Sequence, residues 1–117
     1  MSAEEFFQQR IRLGRLLDAY GGLLTEKQRN FLQLYLYDDL SLGEISEEVG
    51  VSRQAVHDLL KRTEQTLERY EERLGHIEKN DFSKQQLFRV VQLLEIGRAD
   101  ETAEAIMIIK SMCGEDR

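Results

Sequence analysis

Proline and tryptophan are absent from this chain, and cysteine occurs once, at Cys113. Without proline no ring geometry interrupts a helix, so helix ends must be set by glycine and by capping side chains. A single cysteine excludes an internal disulfide and fits a reducing, cytoplasmic setting. Long apolar runs are missing as well. The longest block, AIMII at residues 105–109, falls far short of the about 20 residues of a membrane span and fits a packed helix. The opening stretch MSAEEFFQQR is acidic and lacks the apolar run of a secretion signal. Neither membrane insertion nor export is therefore expected. Basic charge is also scarce. Lys and Arg total 16 against 22 Asp and Glu, a formal charge of −6, so long-range attraction to a polyanion is not built in.

What the chain does contain is helix-forming sequence. Its 117 residues suit one domain with an accessory piece. Phe7, Ile11, Leu17 and Tyr20, with Phe6, Leu13 and Leu16 beside them, keep helical spacing and predict a first helix over residues 4–20, stopped by YGGLLT. Thr25 and Gln28 have capping-box spacing and open a second helix, followed by the connection YDDLS. Ser41 and Glu44 repeat that spacing for a short third helix ending at Gly50. Ser52 caps a fourth, over residues 53–74, a rod of roughly 33 Å at 1.5 Å per residue. That is longer than reading a groove requires. Its outer half is expected to pack on the C-terminal segment or on a second subunit, which makes a homodimer one of the expectations. GHIEKNDFS reads as a linker, Ser83 with Gln86 as the cap of a fifth helix, and Asp100 as the cap of a sixth ending near Cys113. The expected architecture is all-α: a helix-turn-helix domain over residues 1–75 and a helical hairpin over 76–117.

The stretch SLGEISEEVGVSRQAVHDLLK, residues 41–61, meets the demands of a helix-turn-helix together. Ile45, Val49, Val51, Val56 and Leu59 take the inward positions, Ser46 is small at the helix crossing, and Gly50 sits at the turn. Such a unit serves nucleic-acid binding or protein docking. If the fourth helix enters a groove, Arg53, Gln54, His57, Asp58, Lys61 and Arg62 form its exposed turns. Arg and Gln can pair with guanine and adenine edges, whereas Asp58 is misplaced beside phosphates. An ordinary solvated helix face is the equal alternative at this point. Arg10, Arg12, Arg15, Lys27 and Arg29 on the first two helices outnumber the nearby carboxylates, so a local basic patch on an acidic molecule is conceivable. Phe7, Phe31 and Tyr35 read as core, while Tyr20, Tyr37 and Tyr70 stay open. His57 and His76 lack partners at metal-ligand spacing, and Asp38 and Asp39 read as loop carboxylates. No nucleophile elbow, phosphate loop or metal set is present, so neither enzymatic chemistry nor a cofactor is expected.

Residues 23–74, with LTEKQRNFL, LSLGEIS and VSRQAVHDLLKRTEQ, resemble region four of bacterial sigma factors and, much more closely, the YlxM-type helix-turn-helix family. That likeness is traced from about Arg10 to Leu74. It implies a cytoplasmic bacterial protein, encoded beside the GTPase of the signal recognition particle and accessory to that pathway. The implied partners are the particle's RNA and its GTPase. The family brings neither catalytic residues nor base contacts. A DNA-binding regulator and a docking adaptor without nucleic acid remain the alternatives.

Overall fold

The computed structural model describes residues 2–114. Among them six α-helices follow one another: α1 Ala3–Tyr20, α2 Glu26–Leu36, α3 Leu42–Val49, α4 Arg53–Leu74, α5 His76–Ile96 and α6 Ala99–Met112, with a 3₁₀ turn at Gly21–Leu23. No described residue lies in a strand. No described helix is long and apolar enough to cross a membrane. Two compact units result, Met1–Ile77 and Glu78–Arg117.

Capping side chains place most helix starts. Ser2, Thr25, Ser41 and Ser52 each accept a hydrogen bond from the backbone N–H three residues on. Gln28 and Glu44 complete reciprocal capping boxes, as their spacing predicts. Gly50 and Gly75 end α3 and α4 in the left-handed conformation, at φ 75° and 60°, where a Cβ would be strained.

The first unit is built around α4, which touches α1, α2 and α3. One core joins Leu13, Leu16, Leu17 and Tyr20 of α1 to Leu24, Leu32, Leu67 and Ile77. A second joins Phe31, Ile45 and Val56, the centre of the helix-turn-helix. Tyr35 and Leu60 pack against both. Side chains as fully covered as Leu16, Leu32, Ile45 and Leu67 each contribute about 2 kcal/mol over exposure to water.

Several details depart from expectation, each for a physical reason. The outer half of α4 packs on α1 and on Ile77 at the start of α5. Thr63 and Leu67 are fully buried, with Leu67 in the α1 core and the Thr63 hydroxyl satisfied by the Leu59 carbonyl at 2.8 Å. The stretch read as a linker is helix, because α5 begins directly after Gly75. Its first N–H groups find acceptors outside the helix: His76 N–H donates to the Tyr20 hydroxyl at 3.1 Å, and Ile77 N–H to Glu71 Oε1 at 2.9 Å. Ser83 is therefore interior. In α6, Arg98 takes the cap position without a side-chain bond, and Asp100 lies in the first turn beside Glu101, where the helix dipole favours carboxylates. Val49 and Val51, expected inward, are 40% and 39% exposed. Ser46 does more than stay small, since its hydroxyl donates to the Val51 carbonyl and ties the turn. Phe7, expected in the core, is exposed, and Tyr20, which the sequence leaves open, is buried.

Candidate nucleic-acid interface

Helix α4 leaves the outer side of its first three turns open. Ser52 starts it and Val56 anchors one side in the core. The 3.6-residue repeat then turns Arg53, Gln54, His57, Asp58, Lys61 and Arg62 outward, and all six are exposed.

Three shallow concavities adjoin this face. One of about 380 Å³ is bounded by Ser41, Gly43, Arg53, Gln54 and His57. A second, about 310 Å³, lies between α1 and α4 and is lined by Phe6, Arg10, Tyr35, His57 and Lys61, among others. A third, about 390 Å³, is formed by Asp58, Lys61, Arg62 and Gln65. His57 and Lys61 each border two of them, so the five α4 residues expected to bind nucleic acid share one continuous strip, with Arg10 at its edge.

Polar contacts within the strip define what it offers. The Gln54 amide donates to Asp58 Oδ1 at 2.9 Å, and His57 Nδ1 lies 3.7 Å from the same oxygen. Arg62 Nε reaches the Asp58 carbonyl at 3.4 Å. Gln54 is thus occupied by its neighbour one turn on, an arrangement legible from the four-residue spacing. The Arg53 guanidinium lies over Gly43, where an added Cβ would sit 2.7 Å from Nη2. Gly43 makes room for that side chain, a role the sequence alone did not disclose.

The cations of the first two helices divide. Arg10 donates to the Tyr35 carbonyl at 2.9 Å and to Asp39 Oδ1 at 3.3 Å, with its guanidinium 4.6 Å from the Tyr35 ring centre. It satisfies a carbonyl near the end of α2, a favourable place for a cation. Asp39 holds a left-handed φ of 55°, which Asp tolerates better than most residues. Arg12 forms a two-point pair with Glu68, and this bond holds its pKa above the ordinary arginine value. Arg15 is exposed on α1, and neither it nor Arg12 lines the concavities beside α4. Lys27 borders a separate depression with Phe31, Val49 and Val51. Arg29 is half-buried on α2.

A family model for UPF0122, the YlxM / p13-like helix-turn-helix proteins, matches residues 7–107. The chain belongs to this family. It is 50% identical over 95 residues to a UPF0122 protein of Desulforamulus reducens, covering 81% of each chain. It is 46% identical over 101 residues to one of Exiguobacterium, covering 86% of this chain and 92% of the relative. A Halalkalibacterium halodurans UPF0122 protein is 48% identical over 99 residues, 85% of this chain and 88% of the relative. The family match extends into α6, well past Leu74, where the likeness traced from motifs ended. The α5–α6 unit is therefore mostly within the family's own span.

Proposed function

We propose that this YlxM / p13-like protein is an accessory factor of the bacterial signal recognition particle pathway, which binds the particle's RNA through the outer strip of α4 and modulates its GTPase. The observation that carries the RNA half is the strip itself: Arg53, Lys61 and Arg62 are exposed together within three turns of one helix, with Arg10 at the edge. The link to the pathway rests on the YlxM resemblance.

The chemistry favours backbone binding over base reading. Gln54, the residue best suited to an adenine edge, is engaged by Asp58. The remaining cations suit phosphate oxygens, contacts that position a ligand without reading its sequence. Asp58 itself would oppose close entry into a duplex groove. Arg12 acts at a distance, holding α1 against α4 through Glu68. Arg15, Lys27 and Arg29 are outlying contacts on this reading.

Binding of the full chain to particle RNA, to matched duplex DNA and to the isolated GTPase, with GTP hydrolysis measured in parallel, tests the proposal. RNA binding that weakens with salt, accompanied by a changed hydrolysis rate, supports it. Tight sequence-selective duplex binding supports a transcription regulator instead. Binding to the GTPase alone, unchanged by Arg53→Ala with Lys61→Ala, supports a docking adaptor.

A further inference from the structure

Among its described residues the α5–α6 unit, from Glu78 onward, has a core of only Val90, Leu93 and Ala105, with Ile108 packed against them. Chains of about 40 residues rarely fold alone without cross-links, metals or oligomerisation. The lone cysteine excludes an internal cross-link. Among the described residues no group of three His, Cys, Asp or Glu could hold a metal.

Against this small core stands a large apolar exterior. Phe88 is 66% exposed and Met107 71%. Leu87, Val91 and Leu94 are each about half exposed and follow one stripe of α5 at four- and three-residue steps. Ile106 and Ile109 are exposed on α6, whose apolar residues run nearly all round the helix, the pattern of a helix meant to be covered. Phe82 and Ile96 add to the exposed set. Leu87, Phe88, Val91 and Leu94 lie within about 120° of one another around α5, with Phe82 and Ile96 on its other side; at roughly 200 Å² for each large side chain, half exposed, these four leave on the order of 400 Å² of apolar side-chain surface in water on one face. The largest patch on an ordinary monomer is about 300–600 Å². One side of a stable protein interface is about 800 Å².

We propose that the α5–α6 hairpin is a homodimer interface, covered by the same hairpin of a second copy in a four-helix bundle. With the exposed Ile106 and Ile109 of α6, this face approaches the about 500 Å² of apolar area in one side of a stable homodimer interface. The chemistry suits a like partner. Between residues 87 and 94 the one charged side chain is Arg89, which lies 3.6 Å from Glu104 of the same hairpin, and residues 105–109 carry no charge. A charged ligand finds nothing to pair with there, whereas an apolar face is complementary to its own copy through a two-fold axis. This assignment is independent of the RNA proposal. It also bears on it, because a dimer carries two α4 strips, and two weak sites on one ligand can bind about a hundredfold tighter than one.

Sedimentation equilibrium of the full chain tests the interface directly. At about 100 µM, well above a micromolar dissociation constant, the mass should be twice the 13.7 kDa of one chain. The exposed Cys113 provides a native labelling point. Donor- and acceptor-labelled chains should exchange and show energy transfer, since a bundle of this length keeps the two sites within about 40 Å. Phe88→Asp with Val91→Glu should weaken dimerisation by about a hundredfold or more while the first unit keeps its cooperative thermal transition, any loss of helical circular dichroism being confined to the α5–α6 share. The same change at Phe7→Asp on α1 should leave the dimer intact. A wild-type mass of one chain with no energy transfer overturns the proposal. So does a dimer that survives the double substitution, or one lost through Phe7→Asp instead.

Discussion

Arg12 meets Glu68 at two points, Nε on Oε1 and Nη2 on Oε2, each at 3.0 Å, joining α1 to the outer half of α4. A cation that the sequence offers to nucleic acid is thereby committed to the protein's own carboxylate. Both side chains remain partly exposed, at 41% and 43%, so the pair is screened by water. Arg12→Ala is expected to cost about 0.2–1 kcal/mol in urea unfolding. RNA affinity should change far less than it does on Arg53→Ala.

Tyr20 and Tyr37 should reveal themselves by alkaline titration. Burial of Tyr20 disfavours its phenolate, and the hydrogen bond it gives Glu71 at 2.5 Å adds to this, so its pKa lies above 10.0. In Tyr37 the hydrogen bond to Asp18 dominates and burial follows, again raising the value. The folded protein holds both protons more tightly than the unfolded chain. Their contribution to stability is therefore complete below pH 10.0 and is lost as pH climbs through the higher folded values. Tyrosinate absorbance should show a delayed component in the native protein. Tyr20→Phe and Tyr37→Phe should remove it, and denaturant should merge it with an ordinary titration near about pH 10.

Gly43 separates stability from binding. Its backbone is helical, so alanine there should favour α3 by up to about 1 kcal/mol. The new Cβ would meet the Arg53 guanidinium, a flexible end that can move aside at little cost. Gly43→Ala should raise the melting temperature yet shift RNA affinity toward that of Arg53→Ala. Equal affinity for the wild type and Gly43→Ala would mean that the seat of Arg53 over Gly43 is irrelevant to binding.

Local grammar made most of the fold legible. Thr25 with Gln28, and Ser41 with Glu44, announce helix starts through side-chain geometry that depends on a few adjacent residues. Gly50 and Gly75 announce ends in the same way. The start of α5 was not legible, because its N–H groups are met by Tyr20 and Glu71, the former 56 residues away in sequence. Phe7 and Val51 misled for a related reason. Periodicity shows that a residue can face a core, not whether a neighbouring helix reaches far enough to cover it. At the interface, α4 could be read from its own period. Arg10 and Arg12 could not, since their partners, Asp39 and Glu68, come from other elements.

The central claim is that a few cations on α4 meet RNA phosphates although the molecule is acidic overall. Its most direct test is the salt dependence of particle-RNA binding by the wild type and by the triple variant Arg53→Ala, Lys61→Ala, Arg62→Ala. With three phosphates engaged, log K of the wild type should fall against log salt with a slope of about −2 to −3, and the variant should bind weakly with a slope near zero. A triple variant that keeps both the affinity and the slope of the wild type would contradict the account.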